Sequence, residues 1–439
     1  MEEVAELNKL VIKNNINMSK IFVQIASYRD PELVPTIKDC IQKSKYPKNL
    51  TFGICWQHSQ EDIWDSLDEF KNDERFTIMD VPWNESKGLC WARHNIQKMW
   101  NNEEYTLQID SHHRFKKNWD IELINMLKSL QKDGYPKPIL TSYAGMYNPS
   151  TNKKLNEDPY KMVGKRFTPS GTILFYPESI QNWKDLKKPI PARFVSGHFF
   201  FTLGKHCGEY KYDPNLYFAG DEISLSIRSY TLGYDLFHPH RLLVWHEYTR
   251  EGRVKHWDDF VEENREKIEN THHELDLISK KRLRKMLREE ENDSDISGFG
   301  LGTVRTHRDY ENYAGIDFKN RILHKDTIDG KIPPTVSFED IEWRTLKINT
   351  FNLSLDWSSY WDKISSQVNC NCKLQFLYLG IEDESENVLK RIDLIDSEYL
   401  EGTSTSININ LESFTKPYKY VLWPYSKNEE WLKRLDIII

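Results

Sequence analysis

The chain has 439 residues, a formal net charge of −7, and 38% hydrophobic and 13% aromatic residues, with 14 Trp among them. That is core material for two or three domains, and it excludes a disordered chain. The acidic balance argues against a broad nucleic-acid footprint, which needs a basic surface.

Residues 1–19 start acidic (MEEVAELNKL) and read as a polar, partly helical lead-in without the apolar stretch of a signal peptide. No window approaches the roughly 20 apolar residues of a membrane-spanning helix. The six cysteines, Cys40, Cys55, Cys90, Cys207, Cys370 and Cys372, are few and scattered. Reduced thiols and a cytoplasmic location are therefore expected. Cys370-Asn-Cys372 has no second Cys or His pair nearby and reads as structural.

From residue 20 the elements alternate. IFVQIA is an apolar run ending at SYRDPE; LVPTIKDCIQKS has helical spacing; LTFGICWQ is a second apolar run. EDIWDSLDEFKN reads as a helix, FTIMDVPW as a strand, GLCWARHNIQKMW as an amphipathic helix and YTLQID as a strand. Strand and helix in alternation predict an α/β fold around a mostly parallel sheet, with ligands at the carboxyl ends of its strands. SYRD and DSHH both fall at such ends. Residues 20–255 form this domain. Residues 256–330 turn charged and helical with alternating sign, as expected of a solvated connector packing on it. GFGLG within them lacks the context of a phosphate loop and reads as a turn. After Pro333-Pro334, the runs TLKINTFNLSLDW, KLQFLYLGI, VLKRIDLI, SININLESF and YKYVLWPYS predict an antiparallel β-sandwich-like domain over 331–439.

Asp110 and His112 close the strand YTLQID. A carboxylate and a neutral imidazole two residues apart suit a divalent first-row metal with positions open for water and substrate oxygens. A polar turn or a helix cap would use the same residues. Further groups lie downstream: SGHFFF with Gly197 and His198, AGDE with Asp221 and Glu222, and RLLVWH ending in Trp245 and His246. Asp221 and Glu222 also suit the first turn of a helix.

Taken together, IFVQIASYRDPE, GICWQ, KGLCWARH, LQIDSHHRFKKNWD, AGDEISLSIRSYTLGYDLFHP and VWHEYTR resemble the retaining GT-A glycosyltransferases. Their order is similar to that of the mucin-type polypeptide GalNAc-transferases. The closer resemblance is to glycosyltransferase family 60, the polypeptide α-GlcNAc-transferases, which include cytoplasmic enzymes acting on hydroxyproline. The resemblance spans roughly residues 20–250 and implies a GT-A fold, a Rossmann-like mixed sheet flanked by helices. It implies Asp110, His112 and His246 as ligands of Mn²⁺ or Mg²⁺ bridging the phosphates of UDP-GlcNAc. Ser27, Arg29 and Asp30 would lie against the uridine, and Gly88 and Arg93 against the nucleotide and the metal loop. Gly197 and His198 would line the sugar pocket, and Trp245 would wall it. Asp221 and Glu222 would hydrogen-bond sugar or acceptor hydroxyls. The implied reaction moves GlcNAc to a hydroxyl of a protein acceptor, hydroxyproline or Ser/Thr.

Other readings of the same residues are another UDP-sugar donor with a glycan or cell-surface polymer as acceptor, a carbohydrate- or protein-binding protein with an inactive front domain, and a metal-dependent hydrolase. His113 alternates away from the motif on an extended chain and reads as structural. His238 and His240 flank Pro239 in a loop. His272 and His273 sit on the charged helix and face solvent. Trp91 reads as core.

Overall fold

The run Ile21–Tyr28 forms strand β1 because every side chain but its last is buried, as a strand covered on both faces requires. The computed structural model describes residues 19–64, 66–168, 171–250, 252–334, 349–366, 374–413, 415–426 and 430–439. The lead-in up to residue 18 and the Cys370-Asn-Cys372 pair lie outside the described residues.

Strands β2 (Leu50–His58), β3 (Phe76–Pro82), β4 (Tyr105–Asp110), β5 (His113–Phe115), β6 (Pro138–Thr141), β7 (Gly145–Asn148), β8 (Lys153–Lys154), β9 (Tyr160–Phe167) and β10 (Ile173–Ser179) follow. β11 (Ile190–Pro191), β12 (Phe199–Leu203), β13 (Asp235–His238) and β14 (Val244–His246) complete this part. The main sheet has the order β11-β13-β6-β12-β4-β1-β2-β3. β3, β2, β1 and β4 are mutually parallel, and β12 runs against both β4 and β6. The sheet is therefore mixed. A second sheet has the order β5-β14-β7-β8.

Helices α1 (Leu33–Lys43) and α3 (Trp119–Lys132) cover one face of the main sheet, and α2 (Leu89–Gln97) covers the other. Alternation along β1 decides which layer each side chain enters. Val23 and Ile25 join Leu33, Ile37, Leu123 and Leu127, whereas Phe22 and Ala26 join Ala92 and Ile96. Each fully buried aliphatic side chain contributes roughly 1.5–3 kcal/mol, an upper bound because unfolded chains already hide some apolar surface.

The helix expected over EDIWDSLDEFKN is absent, and its described residues form turns. Only Leu67 and Phe70 reach the core, while Ile63 and Trp64 are exposed. Asp62 is drawn instead into bonds with Arg29 and the Ser59 amide. Two anchors and a diverted carboxylate do not make a helical stripe.

Helix α4 (Asp221–Thr231) follows β12, and α5 (His272–Met286) and α6 (His307–Ala314) follow β14. The charged stretch after residue 255 breaks into short turns before α5, which opens on a capping box at Thr271 and Glu274. It belongs to the same compact unit as the main sheet. Arg282 on α5 reaches Asp213 at 2.8 Å, and Ser279 accepts the amide of Tyr217. His273 is exposed and His272 half-buried. A two-stranded ribbon, β15 (Ile316–Asp317) and β16 (Ile322–Leu323), ends this part.

A second compact unit holds the described part of residues 166–171 and 339–439. β17 (Asn349–Asp356) pairs antiparallel with β20 (Ser406–Ser413). β18 (Leu374–Glu382) pairs antiparallel with β19 (Val388–Leu394) and β21 (Lys419–Ser426), and β21 with β22 (Glu430–Trp431) and β23 (Leu435–Ile438). Leu355, Ile407 and Ile409 from one sheet share a core with Leu377, Leu379 and Leu422 from the other. Two antiparallel sheets closing on one core are a β-sandwich.

Candidate active site

Strand register brings the site together. β1 and β4 run in parallel with Ala26 opposite Asp110, so SYRD and DSHH leave the sheet side by side. β12 runs antiparallel with Phe199 opposite Ile109, which sets Gly197 and His198 beside Asp110. β14 pairs with β5 so that His246 lies opposite His113. Asp110 and His246, 136 residues apart in sequence, and Asp30 and Arg253, 223 apart, thus meet at the carboxyl edge of β1 and β4.

A cleft of about 620 Å³ opens there. It is lined by Ser27, Gly88, Arg93, Asp110, His112, Gly197, His198, Asp221, Glu222 and His246. One ligand atom from each of Asp110, His112 and His246 lies within 4.8 Å of the others. Asp110 Oδ2 is 3.4 Å from His246 Nε2 and 3.9 Å from His112 Nε2. The buried Arg93 holds the other oxygen, Oδ1, at 2.7 Å. Burial works to raise the Asp110 pKa, but His246 and Arg93 outweigh it and hold the carboxyl well below the usual range. Burial, with His198 and His112 beside it, keeps His246 neutral. An ionised carboxylate and neutral imidazoles are the forms that bind a divalent cation. His246 Nδ1 is buried with no hydrogen-bond partner. The donor set O, N, N fits a first-row divalent metal.

Beside these three, Gly220 in the left-handed region (φ 96°) opens α4, whose first turn carries Asp221 and Glu222. Gly197 has room for no side chain, since a Cβ would stand 2.8 Å from Asp221 Oδ2. The Gly197 amide donates to Glu222 Oε1 at 3.1 Å, and the Tyr143 hydroxyl donates to Oε2 at 3.1 Å. Burial raises Asp221 to about 6, against the pull of Arg93, and Glu222 to about 7, against the Gly197 amide. His198, pushed down to about 4 by burial, accepts the Ala144 amide at 3.1 Å through Nε2. Its ring centroid lies 4.5 Å from that of His246.

On the β1 and β2 side, the Gln57 amide donates to the Ser27 carbonyl at 2.8 Å, and Ser86 Oγ donates to Gln57 Oε1 at 2.5 Å. Gly88 caps α2 at φ 98°, where a Cβ would meet the Tyr217 ring at 2.6 Å.

Three expected residues do not line the cleft. Trp245 alternates with His246 along β14 and packs with Tyr147 and Leu242, under the ammonium of Lys154. Arg29 is held by Asp62 at 2.8 Å and Asp259 at 2.9 Å. Asp30 is buried beneath the site, where Oδ2 lies 2.6 Å from His112 Nδ1 and accepts from Ser111 Oγ at 2.6 Å. His238 stands elsewhere, bonded by Nδ1 to the Thr141 carbonyl and by Nε2 to the Met162 amide. His113 packs its ring 4.9 Å from that of His246 without entering the triad.

The fold adds residues that sequence reading passed over. Tyr143, Tyr248, Arg250, Arg253 and Lys255 all line the cleft. The three cations follow His246 within nine residues, in HEYTREGRVK, a signal legible in the sequence. Tyr143 carries no such signal, because only the turn after β6 directs it at Glu222.

The family model described as glycosyltransferase (GlcNAc) matches residues 20–75 and 65–320. Among solved structures, GalNAc-T7 with UDP, GalNAc and Mn²⁺ is similar at 15% identity and a TM-score of 0.43, over 55% of this chain and 44% of that one. The chain thus spans less than half of that protein. S. aureus TarS 1-349 in complex with UDP-GlcNAc is similar at 12% identity and a TM-score of 0.35, over 61% of this chain and 73% of that one. No curated protein matches the chain. No described helix is long and apolar enough to cross a membrane. With the family match running over more than half of its residues, the chain belongs to the GlcNAc glycosyltransferase family.

Proposed function

We propose that the protein is a metal-dependent, retaining glycosyltransferase moving GlcNAc from UDP-GlcNAc to a hydroxyl of a protein acceptor, hydroxyproline or Ser/Thr, in the cytoplasm. The observation that carries this reading is the convergence of Asp110, His112 and His246 in one cleft with the buried pair Asp221 and Glu222. The family description supports GlcNAc as the sugar.

Mn²⁺ or Mg²⁺ held by those three residues would offset the charge that grows on the diphosphate as the sugar leaves. Arg93 keeps Asp110 ionised and turned toward the two imidazoles. Arg250 and Lys255 line the same cleft and can meet phosphate oxygens, while Arg253 there is already paired with Asp30 at 3.0 Å. Ser27 and Gly88 form the side assigned to the nucleotide, and Gly197 and His198 the side assigned to the sugar. Glu222, with a pKa near neutrality, can accept a hydrogen bond from a sugar hydroxyl or donate one to it. Asp221 lies behind Gly197, close enough to fix that backbone against the sugar. Neither carboxylate needs to bond covalently to the sugar, because a phosphate oxygen leaving on the same face can take the acceptor's proton.

The test is UDP release from a panel of UDP-sugars with Mn²⁺, repeated with excess EDTA. Release from UDP-GlcNAc alone, lost with EDTA, supports the donor and the metal together. Release from a different UDP-sugar replaces the donor. Acceleration by a protein hydroxyl separates a transferase from a hydrolase, and affinity without UDP release identifies a binding protein.

A further inference from the structure

We propose that Asp30 is a positioning residue that fixes His112 in the tautomer carrying its proton on Nδ1, so that Nε2 presents a lone pair to the cleft. The ligand role of Nε2 rests on the metal reading above.

Asp30 is 1% exposed and does not line the cleft, so it is placed to act through another group. Its Oδ1 accepts the Glu32 amide at 2.9 Å, which fixes the carboxylate plane. Its Oδ2 gathers Ser111 Oγ at 2.6 Å, Arg253 Nη1 at 3.0 Å and His112 Nδ1 at 2.6 Å. An ionised carboxylate only accepts, so the proton of that last bond belongs to Nδ1. In that tautomer the lone pair is on Nε2, the nitrogen 3.9 Å from Asp110 Oδ2. The Arg253 guanidinium lies along both ring nitrogens, with Nη1 2.8 Å from Nδ1 and Nη2 3.2 Å from Nε2, so it does not choose between them, and the assignment stands on the Asp30 contact. A carboxylate behind the far nitrogen of a ligating histidine sets both the tautomer and the ring orientation.

The backbone is built for this contact. Arg29 takes a left-handed conformation at φ 46°, which the chain tolerates because its guanidinium is held by Asp62 and Asp259. That turn carries the chain off the end of β1 and under the DSHH segment. Strain at Arg29 thus has an assigned purpose: it delivers Asp30 to His112.

The experiment uses the full chain labelled with ¹⁵N-histidine, free of metal, with the His112 ring signals assigned by His112→Gln. The wild-type ring should show a protonated Nδ1 and an unprotonated Nε2; the opposite pattern overturns the inference without need of any variant. Asp30→Asn, at an unchanged thermal midpoint, should shift the ring toward the Nε2–H form and weaken Mn²⁺ binding 10–100-fold by calorimetry. An Asp30→Asn protein with the wild-type tautomer and wild-type Mn²⁺ affinity overturns the inference while leaving the metal reading intact. A wild-type protein that fixes the tautomer but binds no Mn²⁺ overturns the metal reading and keeps the positioning role.

Discussion

Arg93 Nη2 lies 2.7 Å from Asp110 Oδ1, and this one ion pair leaves Oδ2 facing His246 and His112. Arg93 is 1% exposed, so removing its charge leaves a carboxylate without its counter-charge next to the core. Breaking a buried pair costs about 3–5 kcal/mol, and the partial exposure of Asp110 favours the lower end. Arg93→Met should lower the thermal midpoint and weaken Mn²⁺ binding together. Melting curves and a Mn²⁺ titration check this; an unaltered Mn²⁺ affinity would separate the ion pair from the site.

Asp110→Ala and His246→Ala should each abolish transfer from UDP-GlcNAc. Both should still fold, because the sheet rests on apolar layers apart from these side chains, although Asp110→Ala strands the buried Arg93 and should lower the thermal midpoint as Arg93→Met does. Rates are measured with saturating Mn²⁺, and near wild-type turnover in either variant would refute the metal assignment.

Stability should depend on pH through Glu222 and Asp221. Burial raises Glu222 from 4.5 to about 7 and Asp221 from 3.8 to about 6. On this pair the folded chain keeps protons that the unfolded chain loses, so the pair's contribution to stability falls as pH rises from about 4 to about 7, opposite in sign to the contribution of buried histidines such as His198, His206 and His238 over the same window. The slope is at most about 1.4 kcal/mol per pH unit for each group. Chemical denaturation in metal-free buffer should show the wild type losing stability relative to Glu222→Gln as pH rises from about 4.5 to about 7. A wild type that holds or gains stability relative to Glu222→Gln over that window would contradict the burial of Glu222.

Gly197→Ala places a methyl 2.8 Å from Asp221 Oδ2. Overpacking of this kind costs about 1–3 kcal/mol. The carboxylate must retreat, so turnover should fall at least tenfold while the protein still folds. Steady-state UDP release with circular dichroism measures both.

Removing the C-terminal β-sandwich by truncation after residue 338 should spare hydrolysis of UDP-GlcNAc and lower transfer to a large protein acceptor. The expectation follows from the separate core of that unit, which draws on none of the cleft residues. Equal transfer by the truncated chain would reduce the sandwich to a stabiliser.

Because apolar runs and amphipathic periods are local patterns, the sequence by itself determined the strands from Ile21 to Asp110 and the helices Leu33–Lys43 and Leu89–Gln97 between them, but not the helix expected over EDIWDSLDEFKN. It also determined the five C-terminal strand runs and the chemical types at Asp110, His112, Asp221, Glu222 and His246. What only the tertiary structure decided was which way side chains point once strands pair. Alternation in β14 sends His246 to the cleft and Trp245 to the other side. The left-handed turn at Arg29 takes Asp30 away from the cleft and onto His112. The segment EDIWDSLDEFKN has helical composition, yet its described residues form turns and Asp62 is bonded to Arg29, a partner 33 residues away. Tyr143 meets Glu222 only because β6 and α4 are brought together across β12. Register and long-range pairing are properties of the assembled sheet, and no local window of sequence contains them.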